Sequence, residues 1–182
     1  LVARGATADD DEANAHAARL RGRTGFGERT PWAVASVAVV VTDVGQHQMW
    51  EAQYYHHDTP RSLITSGGLG TMGFALPGAI AAKLVHPDRR VLAICGDGGF
   101  LMNVQELETA RRLGLPFVIL VWSDGGYGLI EMHQRRKYGR IAGTRFDNPD
   151  LVQLARSFGV EGLRAEKAGD VKPLLARALR HP

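Results

Sequence analysis

"RRVLAICGDGGFLMNVQELETARRLGLPFVILVWSD", residues 89–124, decides how this chain folds. Val91 to Cys95 and Phe117 to Trp122 are unbroken apolar runs, the pattern of strands covered on both faces. Between them "NVQELETARRLG" (103–114) reads as an amphipathic helix closed by Gly114. Strand, helix and strand in that order make a crossover unit whose two strands lie parallel.

The same alternation runs outward in both directions. "VAVVVTDV" (37–44) is a further buried strand, "GQHQMWEAQYY" (45–55) a helix and "SLITS" (62–66) a weak strand. "MGFALPGAIAAKLVH" (72–86) is a helix with a proline near its start, where proline is tolerated. After residue 124, "PDLVQLARSFG" (149–159) and "VKPLLARALR" (171–180) read as helices flanking the weak strand "VEGLRA" (160–165). The fold class is therefore α/β, a parallel sheet with helices on both faces. Residues 1–35 differ: "ATADDDEANAHAARLRGR" (6–23) predicts a capped, Ala-rich helix and "RTGFGERTP" (23–31) a linker, leaving 36–182 as the main domain. The chain starts at Leu1 and stops just after a helix, at "RALRHP", where one more strand would continue the pattern, so it reads as truncated at both ends.

Composition narrows the function classes. At 182 residues, 45% hydrophobic and 23% charged, the chain is an ordinary globular domain with enough material for a core. A net charge of +3 without a clustered basic face argues against nucleic acid, and Arg135, Arg136 and Lys137, with Arg140 close by, read as a solvated face after a helix. A single cysteine, Cys95, excludes an internal disulfide framework, fits a reducing compartment and, within its apolar run, reads as a buried structural thiol. No apolar segment is long enough to span a membrane, so the expected location is the cytoplasm.

In open α/β sheets ligands bind beyond the carboxyl ends of the strands. The residues there are Thr42 to His47, Ser66 to Gly70, Gly96 to Gly99 and Ser123 to Gly126; every loop carries glycine and three carry aspartate. Gly68, Gly70 and Gly73 spell G-x-G-x-x-G, which raises a dinucleotide site such as one for NAD. Against it, the preceding strand is short and polar, and Asp97, the acid that would hold a ribose, lies in its own glycine loop. Asp97 and Asp124 cap consecutive strands 27 positions apart, and two carboxylates facing one gap repel each other unless a cation lies between them. Hard oxygen ligands beside a phosphate suit magnesium. Gly98 and Gly99 are expected to open a helix beginning near Leu101, whose N-terminus favours an anion. Capping aspartates in two turns remain the simpler alternative on spacing alone.

Here the sequence resembles the thiamine diphosphate enzymes, whose signature is G-D-G, some two dozen residues, then an Asn-Asn pair. "GDG" at 96–98 is followed by 24 residues and then Ser123-Asp124, a departure that keeps an oxygen and adds charge. The resemblance implies that Asp97, Asp124 and the carbonyl of Gly126 hold Mg2+ against the cofactor's diphosphate, with Gly96, Gly98 and Gly99 in the same loop. "TDVGQHQMWEAQYY", "ITSGGLGTMGFALPGAIAAK" and "CGDGGFLMNVQELETARRLGLP" are similar to the C-terminal, diphosphate-binding domain of acetolactate synthase large subunits, from about residue 37 onward. By that resemblance the Gly70 carbonyl accepts from the cofactor's 4′-amino group, Met72 bends the cofactor, and Gln46 and His47 approach the diphosphate.

The same resemblance implies decarboxylation of pyruvate and its condensation with a second 2-oxo acid, giving 2-acetolactate, within branched-chain amino acid biosynthesis or its catabolic counterpart. "KYGR…G…F" (137–146) resembles the catabolic branch and "GQHQMW" the biosynthetic, FAD-containing one; His133 stands where the latter carries a tryptophan. The family's activating glutamate belongs to a separate pyrimidine-binding domain, with the active site between subunits of an oligomer, and nothing here matches that domain. The isolated chain is therefore expected to be inactive or nearly so. Another thiamine diphosphate carboligase or decarboxylase, or a non-catalytic remnant, are the alternatives.

Overall fold

The structure, a computed structural model, describes residues 2–4 and 38–180. The helix and linker expected at 6–31 lie outside the described residues. Six strands form one parallel sheet in the order β3-β2-β4-β5-β1-β6. They are β1 (Val2–Arg4), β2 (Val39–Thr42), β3 (Leu63–Thr65), β4 (Val91–Gly96), β5 (Val118–Ser123) and β6 (Arg164–Ala165). The short β1 pairs with both β5 and β6, a position that the sequence reading did not foresee.

Helices α1 (Gln46–Tyr54), α2 (Ala75–Val85), α3 (Asp97–Met102), α4 (Glu106–Arg112), α5 (Gly128–Tyr138), α6 (Leu151–Ser157) and α7 (Ala168–Ala178) connect the strands. Alternate residues of β2, β4 and β5 feed opposite cores, as the two-residue repeat of a strand requires. Val39, Val41, Val91, Ala93 and Cys95 pack under α2, α3, α4 and α6, together with Leu76, Phe100, Leu107 and Leu151. Val40, Leu92, Ile94 and Leu120 face the other way, against Leu175 and Leu179. With both faces covered, the strands have no polar side to show, which is why their sequences are unbroken apolar runs.

Two expectations need correction. The helix predicted near Leu101 begins at Asp97, so Gly98 and Gly99 lie inside its first turn. Without side chains they let that turn close on its neighbours: a Cβ on Gly98 would stand 2.5 Å from Tyr127 Cε1, and one on Gly99 2.9 Å from Asp43 Cγ. The helix predicted over 103–114 is shorter, Glu106–Arg112, and Asn103, at φ −133°, breaks the chain between it and α3. Asn103 Nδ2 donates to the Gly73 carbonyl at 2.8 Å, so the break serves a contact with a loop 30 residues away. α2 also starts later than its apolar pattern, because Gly73 at φ +82° sets a left-handed turn just before it.

Elsewhere the chain behaves as its composition implies. Arg135, Arg136, Lys137 and Arg140 are exposed on or just after the last turn of α5, and Cys95 is buried with its thiol pushed well above the ordinary range by burial, hence inert. Among the described residues no helix is long and apolar enough to cross a membrane. A polar cluster joins the end of α1 to the start of β3: the His57 ring contacts the buried Glu51 carboxylate through Nε2 and Ser62 Oγ, at 3.1 Å, through Nδ1.

Gly78 measures how closely α2 lies on the sheet, since an added Cβ would stand 2.9 Å from Val41 Cγ1. Val41 is fully buried and β-branched, so it cannot turn aside. Gly78→Ala should gain about 0.5–1 kcal/mol of helix propensity and lose about 1–3 kcal/mol to overpacking, lowering the urea midpoint of unfolding.

Candidate functional site

β2 pairs with β3 on one side and β4 on the other, so the chain leaves β2 in one direction and resumes beyond it in the other. That is a switch point, where the loops after adjacent strands diverge and open a crevice. A cleft open to solvent lies there, lined from the ends of β2, β4 and β5. Gln46, His47, Met72, Gly96, Asp97, Gly98, Gly99, Asp124 and Gly126 all line it. Of the residues that the resemblance assigns to cofactor or metal, Gly70 alone does not: it is exposed at φ +65° on the loop beside the cleft.

Asp97 organises the floor. It is 1% exposed, and its carboxylate accepts from four donors. Oδ1 takes the Gly98 N–H at 2.8 Å; Oδ2 takes the N–H groups of Asp124 (3.1 Å) and Gly125 (2.8 Å) and Asn148 Nδ2 (2.5 Å). The end of β4 thereby grips the loop after β5. Asp124 in turn is pushed above the usual carboxylate range, first by burial and then by the charge of Asp97, partly offset by the N–H of Gly126 and the Arg145 guanidinium. Two carboxylates thus face one cleft in mutual repulsion.

A strap holds the Asp124 loop from outside. The Tyr127 N–H donates to the Thr144 carbonyl at 2.8 Å and the Phe146 N–H to the Gly125 carbonyl at 3.1 Å, around an antiparallel bridge between Gly126 and Arg145. In a pair bonded this way, the two central residues point their own N–H and C=O away from each other. The Gly126 carbonyl therefore faces away from the strap, on the same side as its N–H, which supports the Asp124 carboxylate. Arg145 completes the strap, with Nη1 on the Asp124 carbonyl at 3.3 Å and Nε 2.7 Å from the buried Glu131. The Arg145 guanidinium, with help from Arg135, holds Glu131 below the usual carboxylate range.

On the opposite wall His47 is 6% exposed and its Nε2 is buried without a hydrogen-bond partner among the described residues. Burial pushes its pKa down to about 4, so the ring is neutral at physiological pH. An unpartnered ring nitrogen beside a glycine-rich floor is a donor or acceptor held ready for a ligand. Among the described residues no three or more His, Cys, Asp or Glu side chains gather into a metal site. A cation here would use the two aspartates, the Gly126 carbonyl and oxygens of the ligand, which is the habit of magnesium.

Sequence reasoning passed over several of these residues. Trp50 and Trp122 line the cleft and meet edge to face at 6.2 Å, and Tyr127 lines it too; as apolar positions in a helix, a strand and a loop they carried no signal. Asp43, 1% exposed, accepts from the N–H groups of Val44, Gly73 and Ala75, and burial pushes its pKa up. It caps the start of α2 from 30 residues away. That N-terminus is the place a dinucleotide's pyrophosphate would take in the G-x-G-x-x-G reading, and a carboxylate already holds it.

Residues 43–182 match the family described as thiamine pyrophosphate enzyme, C-terminal TPP binding domain, and the chain belongs to that family. Its relatives narrow the kind. It is 43% identical over 143 residues to a probable acetolactate synthase large subunit of Methanococcus aeolicus, an alignment covering 78% of this chain and 24% of the relative. It is 44% identical over 141 residues to the acetolactate synthase isozyme 2 large subunit of Escherichia coli, covering 75% and 25%. To the catabolic acetolactate synthase of Raoultella terrigena it is 38% identical over 146 residues, covering 80% and 26%. The chain spans about a quarter of the length of these relatives.

Because His47 binds a proton less readily folded than unfolded, acid favours the unfolded chain. Stability present above pH 6.5 should be lost as pH falls from 6.5 towards 4, by about 3 kcal/mol at most from this group. The raised carboxylates of Asp43 and Asp124 act in the opposite sense. Urea midpoints of the metal-free chain across that window should decline, and His47→Gln should flatten the decline.

Proposed function

We propose that this chain is the diphosphate-binding half of an acetolactate synthase, taking Mg2+ and thiamine diphosphate at the cleft between the ends of β2, β4 and β5. One observation carries the reading: Asp97 and Asp124 lie side by side in the lining of one cleft, with the Gly126 carbonyl turned away from the strap. Oxygen donors under repulsion fit a divalent cation, which relieves the repulsion and gains a third ligand. Asp97, Asp124 and the Gly126 carbonyl would hold the cation. Gln46 and the neutral, unpartnered His47 would meet the diphosphate, with Gly96, Gly98 and Gly99 letting it approach the backbone.

Met72 lines the cleft between the ends of β2 and β4, a place from which an apolar side chain can press on a cofactor. The Gly70 carbonyl, on the loop beside it, would accept from the cofactor's amino group. Thiamine diphosphate, when bound, supplies the electron sink for decarboxylating a 2-oxo acid, here pyruvate. This chain's own residues would bind, orient and neutralise charge, beside an apolar wall of Trp50 and Trp122. The described residues bring no glutamate into the cleft lining, which supports a second, pyrimidine-binding domain, of this or another subunit, as the source of the activating acid. FAD, where the assembly uses it, would be held by other segments. The lone, buried Cys95 supports a cytoplasmic setting.

Thermal melting with Mg2+ plus thiamine diphosphate tests the reading. Ligand at 100 times its dissociation constant should stabilise the chain by about 2.7 kcal/mol, only with magnesium present. Asp97→Ala should abolish that shift. Asp124→Asn should keep it and raise the metal-free melting temperature, since the repulsion is gone while an oxygen ligand remains. Stabilisation by NAD and not by thiamine diphosphate would overturn the assignment.

A further inference from the structure

The geometry points to Asn148 as a positioning residue that fixes which oxygen of Asp97 faces the cation, an inference that rests on the magnesium reading above. Asn148 follows the strap and lies 51 positions from Asp97 in the chain. Its Nδ2 donates to Asp97 Oδ2 at 2.5 Å and to Ser123 Oγ at 3.1 Å. With the N–H groups of Asp124 and Gly125 on the same atom, Oδ2 has three donors, whereas Oδ1 has only the Gly98 N–H. A carboxylate oxygen accepts along two main directions, so Oδ2 is filled and Oδ1 keeps one direction open.

Asn148 is the donor on Oδ2 that comes from outside the Asp124 loop. Two backbone N–H groups of that loop alone would let the carboxylate and the loop shift together. The added amide ties both to the strap, and through Ser123 to the end of β5. Its orientation is fixed by charge: exchanging its oxygen and nitrogen would aim a carbonyl at a carboxylate.

The rest of the side chain shows what the residue is for. Asn148 Oδ1 is buried with no hydrogen-bond partner among the described residues. A residue placed for stability alone would have both ends satisfied. Here one acceptor is left over so that the two N–H groups reach Asp97 and Ser123. Removing the side chain should therefore disturb the fold little and the cation site much.

The test is a magnesium titration of the full chain at saturating thiamine diphosphate, read by melting temperature, for wild type, Asn148→Ala and Ser123→Ala. Loss of a residue that orients a metal ligand typically weakens metal binding about 10–100-fold. Asn148→Ala should raise the half-saturating Mg2+ concentration by that factor while its metal-free melting temperature stays near wild type. Ser123→Ala, which removes only the amide's second anchor, should raise it by less. An unchanged half-saturation in Asn148→Ala overturns the proposal. So does a drop in metal-free stability that accounts for the whole effect. Should Asn148→Ala not fold, an unchanged value in Ser123→Ala overturns it equally. A wild-type chain with no magnesium dependence sinks the underlying cofactor reading instead, and is told apart by that control.

Discussion

Everything in the cleft depends on one buried carboxylate. Asp97 sits at the junction of β4 and α3, and its four accepted hydrogen bonds come from its own helix turn, from the loop after β5 and from the segment beyond the strap. Those donors replace the water that burial takes from the carboxylate. The same bonds add to the strand pairing and the strap in fixing three chain segments against one another. Asp43 does similar work at the next strand, holding β2 to the start of α2. The sheet supplies the edge, and two aspartates stitch its loops into a surface.

The electrostatics follow from that construction. The donors on Asp97 bring Asp124 next to it, where burial and the Asp97 charge push the Asp124 carboxyl up. The site thus stores an unfavourable charge arrangement that only a cation or a proton can discharge. Strain of this kind is ordinary where binding is the purpose, and it is offset by the packing of the two cores rather than at the site. Just outside, Glu131 pairs with both Arg135 and Arg145, and Arg145 partly offsets the charge at Asp124.

The sequence disclosed the parts whose signal is local. β4 and β5 are apolar runs that only a doubly covered strand explains, and the glycine-aspartate loops after them point to a phosphate and a metal without any structure. Those loops also carry the family likeness that the matched residues 43–182 bear out. What stayed hidden involves partners far apart in the chain. Nothing near Asn103 announces that its side chain will break a helix to reach Gly73, and nothing near Asp43 announces a cap on a helix 30 residues on. Asn148 sits in a stretch that reads as a turn before α6. Gly98 and Gly99 read as the start of a helix that favours an anion; the structure adds Tyr127 and Asp43 as close neighbours that they admit.

The placement of β1 bears on how the molecule assembles. Val2–Arg4 insert between β5 and β6, pairing with residues more than a hundred positions later in the chain. Closing so long a loop is entropically slow, whereas β2, β3, β4 and β5 are each one crossover from a neighbour. The four-stranded part can therefore condense first, with the apolar edge of β5 standing open as an unpaired ladder. Until β1 fills that gap, β6 has no strand to pair with and the edge of β5 is open to pairing with another chain.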